Sequence, residues 1–438
     1  MTTTPEPRRF KSDSLIAKYR HLIGADEILE VGRRLGVIER QRKIDLVKLV
    51  DATILSLSPI RGTQTTAFGH YIQLTGQELA PSSFYDRFTP EFAELMKGIA
   101  LRSVQAVRDL APNDQNLHSF GVLLEHFSDI RLTDSTSHFL KRFAKNWARS
   151  TSKVRPAAIK LHTNISIKDH LPVSTEITAQ RLHDNKGFPE EALEPGTLHF
   201  FDLGYIDLLR FILAVERCVA FLTRLKESHN PEILRVHQGK GSRIACRNAR
   251  LDDALRDGIL QAENGYIDLD VKLEAEGKEA VARVVGVVDP GGNWHWYLTN
   301  VSRDLLDAAD VAEAYRLRWL IELFFKQVKS GLGLDAILAW REEAVTALVY
   351  AKVIALSLAR LMELTLDQKH GPHAVSQLAL VLVLARCSSQ LVTALLLAEG
   401  ITAEEYERRI MLQAAIIARS RNQRREREKR KRQESLGR

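Results

Sequence analysis

The chain has 438 residues, 45% of them hydrophobic and 27% charged, which is enough apolar material for a large core and for more than one domain. Three scattered cysteines, Cys218, Cys246 and Cys387, form no CxxC pair; they exclude a disulfide scaffold and a cysteine-held zinc site and point to a reducing compartment. No signal-peptide-like apolar run opens the sequence, and Lys352, Arg360 and Arg386 interrupt its most apolar stretches, so the expectation is a cytoplasmic protein without membrane spans. The net charge of +7 is concentrated in a tail, Arg419 to Arg438, with ten Lys/Arg against three Asp/Glu. A run such as RREREKRKR is either a solvated helix end or an arm that neutralises phosphates.

Residues 1–120 read as helices. Leu46, Leu49, Val50, Ala52, Thr53, Ile54 and Leu57 make one apolar stripe, stopped by Pro59 and Arg61-Gly62. A second helix runs near Thr63 to Leu74 and breaks at Gly76; a short one, SFYDRF, starts after Ala80-Pro81 and ends before Thr89-Pro90. This succession fits a helix-turn-helix that reads DNA, or more simply a helical bundle.

Residues 121–226 change period. Asp129 to Asp134, Ala157 to Ile167 and Pro172 to Gln180 are expected strands. They are followed by Leu198 to Leu203, a helix from Leu208 to about Val219 carrying Cys218 as a core residue, and a strand from Ala220 to Lys226. Three consecutive strands and then strand, helix, strand predict a mixed sheet. Residues 227–303 form a β-rich stretch with strands Tyr266 to Leu273, Ala280 to Val288 and Trp294 to Val301, the last two joined by the turn Asp289-Pro290-Gly291-Gly292. In 304–345 a long helix from Ala308 to Ser330 is stopped by Gly331 and Gly333. Apolar helices fill 346–418 and are expected to pack on the sheet, and 419–438 is the basic tail.

The long helix carries the sharpest signal. With Tyr315 at zero, steps of about 100° put Arg318, Glu322, Lys326 and Lys329 within about 60° of it. Leu317, Leu320, Ile321, Phe324 and Val328 fall on the opposite face. A carboxylate set among Tyr, Arg and Lys is either a solvated face with an i,i+4 pair or a site for phosphate chemistry. Two aspartates favour the second reading: Asp134 at the end of one apolar strand and Asp202 inside another, where a charge is costly unless paired or metal-bound. Two strand aspartates and a helical glutamate can converge on two Mg²⁺ ions, with Mn²⁺ able to substitute. His138 and His162 have no partner at ligand spacing and read as structural.

The spacing Tyr315-x2-Arg318-x3-Glu322-x6-Lys329 resembles the Y-(2)-R-(3)-E-(6)-K signature of the IS4 family of insertion-sequence transposases. Asp202-x-Gly204-Tyr205 and Thr133-Asp134-Ser135-Thr136 are similar to that family's motifs around the two aspartates. The resemblance implies an α/β fold: an RNase H-like mixed sheet core with a β-rich insertion, flanked by helical N- and C-terminal regions. It implies that Asp134, Asp202 and Glu322 hold the metal ions, that Tyr315, Arg318 and Lys329 bind end phosphates, with Lys326 on the same face, and that Trp296 stacks on a flipped base. Trp294, on the same side of its strand, competes for that last role. The implied activity is cleavage at transposon ends, a hairpin intermediate and strand transfer by direct transesterification. The partners would be end and target DNA and a second copy in a synaptic dimer, with the N-terminal helices recognising ends. A nuclease on the same core and an inactive, DNA-binding derivative are the rival readings.

Overall fold

The computed structural model describes residues 14–37, 44–57, 63–110, 121–226, 228–241, 243–326, 329, 331–371 and 375–416. The basic tail 419–438 and the helix stop at Pro59, Arg61 and Gly62 lie outside them. The chain divides into two compact units, one of Met1–Pro112, His138–Ala158 and Lys326–Arg438, the other of Asn113–Ser137 and Ile159–Phe325.

The first unit is helical. Its N-terminal part holds α1 (Leu15–Leu22), α2 (Ala25–Arg34), α3 (Leu46–Ile54), α4 (Thr63–Thr75), α5 (Pro81–Tyr85) and α6 (Pro90–Arg108). Asp45 and Thr89 cap α3 and α6 by accepting from the Lys48 and Phe92 backbone N–H groups, which satisfies donors that each helix start leaves open. The α4–α5–α6 connection is closed by buried rings: Phe68, Phe84, Phe88 and Phe92 succeed one another at centroid spacings of 5.4, 5.6 and 5.4 Å.

The C-terminal segment of this unit closes the bundle. The apolar helices of this region pack on the N-terminal helices of the same unit. Their longest member runs Glu342–His370 and meets α6 and α3. By length and composition it could cross a membrane, but 89% of its most apolar window is buried inside the fold. Lys352, wholly buried on it, donates to the Ser56 carbonyl at 3.1 Å. Further helices follow at Gln377–Arg386, Ser388–Ala398 and 403–416.

The second unit opens with α7 (Gly121–His126) and is built on one sheet. Its strands are β1 (Asp129–Phe139), β2 (Ala158–Ser166), β3 (Leu171–Ala179), β4 (Thr197–Phe201), β5 (Ala220–Arg224) and β6 (Glu232–Gln238), with α8 (Leu208–Glu216) between β4 and β5. A small hairpin of β7 (Lys240–Gly241) and β8 (Leu260–Gln261) encloses α9 (Arg243–Cys246) and α10 (Leu251–Arg256). The long strands β9 (Tyr266–Ala275), β10 (Lys278–Val288) and β11 (Trp294–Thr299) follow. The order β3-β2-β1-β4-β5-β11-β10-β9-β6 makes a single sheet of nine strands. Its first five strands, with β2–β3 antiparallel and β1, β4 and β5 parallel, have the RNase H-like arrangement. The β-rich insertion extends that same sheet: β11 pairs antiparallel with β5, and the insertion's β6, which the sequence pattern does not reveal, closes the far edge on β9.

Three expectations about local structure are corrected. Asp134 lies inside β1, which continues to Phe139, and Asp202 lies just beyond β4 as the residue opening a tight turn. The reason is the parallel register: the last β1–β4 pair is Thr133 with Phe201, so the next residue of each strand is an aspartate, and the neighbouring strand ends there while β1 runs on. Cys218 is exposed in a left-handed turn (φ +56°) after α8 has ended, so it is not a core helical residue. Finally, the expected long helix is broken into α11 (Ala308–Arg316), a 3₁₀ turn at Leu317–Trp319 and α12 (Leu320–Lys326).

Candidate active site

Register alone brings two of the acids together. Strands in a sheet lie about 4.8 Å apart, so Asp134 and Asp202, each one residue past the Thr133–Phe201 pair, stand side by side where β4 ends and β1 runs on alone. Open α/β sheets present ligand sites at such carboxyl ends. Glu322 arrives from α12.

The three carboxylates meet around one cation. The Arg318 guanidinium donates to Asp134 Oδ2 at 2.8 Å and lies 3.8 Å from Asp202 Oδ1 and 3.7 Å from Glu322 Oε1. Only the first of these is a hydrogen bond. Side-chain exposure rises from 18% at Asp134 to 38% at Asp202 and 63% at Glu322, so the cluster opens to solvent on the glutamate side. Burial, helped by the nearby Asp202 and Asp184 charges, raises the Asp134 carboxyl to about 6 against the opposing pull of Arg318 and of the Ser135 N–H. Three acids share one base: the cluster is short of positive charge. Among the described residues no three acidic, histidine or cysteine side chains surround an ion-sized space in this arrangement. The guanidinium stands where a cation is called for, and hard oxygen donors from three segments suit Mg²⁺ or Mn²⁺. The donor chemistry fits divalent metal ions, and in this structure Arg318 occupies the space between the acids.

The 3₁₀ turn redistributes the signature residues. Three residues advancing about 20° more than in an α-helix shift Glu322 from about −20° to about +40° of Tyr315. Tyr315 is nonetheless in the core, 8% exposed, rather than on the open face. Its hydroxyl donates to the Phe201 carbonyl at 3.2 Å, the residue directly before Asp202, and burial raises its pKa. Lys326 is exposed at the end of α12 and Lys329 is half-buried, and both belong to the helical unit. Trp294 and Trp296 stack on one another with centroids 4.8 Å apart and planes 11° from parallel. Trp296 also lies over Gly286, its cross-strand neighbour, where an added Cβ would fall 2.4 Å from the indole.

Behind the acids is a layer that sequence reasoning missed. Asp184, in the loop after β3, accepts from Ser135 Oγ at 2.8 Å and from Lys160 Nζ at 2.9 Å, and these two partners hold it ionised below the usual carboxylate range against the cost of its burial. Its carboxylate rests on Gly204, where an added Cβ would come within 2.6 Å of Oδ2, so the glycine of the Asp202-x-Gly204-Tyr205 motif makes room for it. The Tyr205 hydroxyl lies 2.7 Å from His162 Nδ1, whose Nε2 is 2.9 Å from Thr178 Oγ1. Burial lowers that imidazole to about 4 and keeps it neutral, a structural histidine as expected. His138 is structural too, 3.3 Å from Asp335 and 3.4 Å from the Ile337 carbonyl. The one legible sign of this layer was the motif's own Gly and Tyr; Asp184 sits in a polar stretch with no periodicity.

A sheet of RNase H-like order with two aspartates side by side at the end of β4 marks a broad class of folds. Sequence comparison narrows the class: the model of the transposase DDE domain family matches residues 125–358, and the chain belongs to that family. It is similar to the protein named "Putative transposase y4zB" of Sinorhizobium fredii, 26% identical over 232 residues, which span 53% of this chain and 60% of that one. It is also similar to the transposase for insertion sequence element IS231C of Bacillus thuringiensis subsp. berliner, 24% identical over 390 residues and 77% of each chain. Among solved structures, the piggyBac transposase in a synaptic complex with hairpin DNA aligns over 92% of this chain and 85% of its own, with 8% identity and a TM-score of 0.47.

Proposed function

We propose that the protein is a DDE transposase that cuts DNA at the ends of an insertion sequence and joins the freed 3′ ends to target DNA in the cytoplasm. The observation that carries this reading is the convergence of Asp134, Asp202 and Glu322 from three segments on one cation position at the open end of the sheet. Bound there, two Mg²⁺ ions, or Mn²⁺ in their place, would supply the Lewis acidity that activates the attacking oxygen and stabilises the leaving one. Asp134 and Asp202 are held for this by register, and Tyr315 fixes the carbonyl that precedes Asp202. Arg318 is drawn from the acids to the phosphate of an incoming end, which its planar fork binds well. Lys329 and Lys326 add charge to the same DNA strand, and Trp296, with Trp294 stacked on it, offers an indole to a flipped base.

Water first opens the strand at the element's end and leaves a 3′-hydroxyl. That hydroxyl attacks the opposite strand to give a hairpin, and after reopening, the 3′ end attacks target DNA. Each step exchanges one phosphodiester bond for another or for water, so no covalent protein intermediate is required. Two ends must be brought together, which calls for a dimer, with the N-terminal helices recognising end sequences and the basic tail contacting phosphates.

The test is cleavage of the element's own end DNA, taken from the sequence flanking the coding region, by wild type and by Glu322→Gln. Wild type should give a Mg²⁺-dependent 3′-hydroxyl nick and then a hairpin, while the variant binds and does not cut. Binding without cutting by both proteins, with Mg²⁺ or Mn²⁺, would favour the DNA-binding derivative. A nick without hairpin or joining would favour the nuclease.

A further inference from the structure

The helical unit contains a surface that neither the signature nor the acidic site accounts for. Residues 138–158, which span the β1–β2 connection, contain six Lys/Arg and no Asp or Glu. Lys141, Arg142, Lys145, Arg149, Lys153 and Arg155 are all exposed, and none pairs with a carboxylate among the described residues. Like charges at this density repel, and a fold tolerates them most readily where a polyanion is to be bound.

The segment is rigidly built. Leu140 N–H donates to the Ala157 carbonyl at 2.9 Å, Ser150 N–H to Pro156 at 3.0 Å and Ala158 N–H to Ala148 at 2.9 Å, while Ala144 and Ala148 are wholly buried beneath. Large rings stand among the cations on this frame: Phe143 is 61% exposed, Trp340 50% and Phe139 37%. The Phe143 and Trp340 rings meet edge to face at 6.5 Å, and the Trp147 indole donates to the Trp340 carbonyl at 2.9 Å, which ties that residue down. Arg142 lies over the Phe143 ring at 5.5 Å and Arg155 over Phe139 at 5.0 Å.

We infer that Phe139, Phe143 and Trp340, with the surrounding cations, form a binding surface for single-stranded DNA. A duplex keeps its bases stacked inside and offers phosphates, for which cations suffice; open rings set among guanidinium groups match unstacked bases and their backbone. Exposed rings are also costly to leave in water unless something covers them. This rests on the transposase reading only for the source of the strand, which is the nucleotides left unpaired when an end is cut. The segment begins four residues after Asp134 in the chain.

The test uses the full chain without metal and follows the fluorescence anisotropy of a labelled short oligothymidylate and of a blunt duplex of equal length. Phe143→Ala/Trp340→Ala, whose side chains are exposed, should melt as wild type does. It should lose about tenfold or more in affinity for the single strand and about twofold at most for the duplex. Arg142→Gln/Lys145→Gln/Arg149→Gln should weaken both and flatten their dependence on salt. Unchanged single-strand binding by the aromatic variant overturns the inference. So does an equal loss on duplex, which would assign the surface to duplex phosphates. Wild-type cleavage of end DNA with Mg²⁺ is run alongside. Cutting with an unaffected aromatic variant sinks this surface alone, whereas single-strand binding lost in the variant but no cutting by wild type supports the surface and sinks the transposase reading.

Discussion

Two of the clusters of acids and arginines in the sheet unit are built to opposite plans. In the insertion, Arg283 reaches Asp268 with Nε at 3.1 Å and Nη2 at 2.7 Å and the Leu306 carbonyl with Nη1 at 2.6 Å. Arg303 bridges Asp268 and Asp270 at 2.8 Å each, and His237 closes on Asp270 at 2.7 Å. Charges there balance, and the Arg283 and Asp268 side chains are about 4–5% exposed. Around Arg318, three carboxylates share one guanidinium, two of them too far away to hydrogen-bond, and exposure climbs toward Glu322. A cluster whose charges balance holds strands together. One left short of positive charge and open to water is arranged for a cation or a phosphate that comes later.

The sharpest break between the two is in activity against stability. Asp134→Asn and Asp202→Asn should each cut end cleavage by roughly a thousandfold or more without lowering the melting temperature, read by gel assay and calorimetry. Arg283→Ala should do the converse. It leaves the buried Asp268 with Arg303 as its remaining arginine partner and should cost about 3 kcal/mol of stability in a denaturant titration, because a buried charge loses its bidentate partner.

Asp134 supplies a pH-dependent contrast. Its pKa is about 6 in the fold against an ordinary 3.8, so the folded state binds its proton more tightly than the unfolded state. The stabilising contribution is complete below about pH 4 and is lost as pH rises through about 6. Metal-free Asp134→Asn should therefore match wild type at pH 4 and exceed it by about 3 kcal/mol at pH 7 to 8, in melts with chelator present. The smallest effect is expected at Gly204→Ala, whose Cβ would press on Asp184. It should cost about 1–2 kcal/mol, and a second change, Asp184→Ser, should return part of that loss in a double-mutant cycle.

The sequence shows these two clusters unequally. Spacing along one helix carries the Arg318–Glu322 pair, and alternation carries the strands on which the aspartates stand, because both are local patterns. What depends on distant pairing is not visible. The end of β4 before Asp202 is set by its register with β1, the 3₁₀ turn that breaks the helix after Arg316 shows no Gly or Pro in its sequence, and Asp184 reaches the site from a loop. The joining of the insertion to the core sheet rests on the β5–β11 pairing, between segments about seventy residues apart, which no periodicity encodes. The apolar stripes of the C-terminal helices announce burial but not the partner, and their partner is the N-terminal bundle.

The most direct measurement is Mn²⁺ binding to the full chain, followed by electron paramagnetic resonance, for wild type, Asp134→Asn/Asp202→Asn and Asp270→Asn. The account predicts that wild type and Asp270→Asn bind alike, that the double variant loses at least about tenfold in affinity, and that wild-type binding weakens as pH falls below about 6, where the proton on Asp134 competes with the ion. Equal Mn²⁺ affinity in all three proteins would contradict the assignment of the open cluster as the catalytic centre.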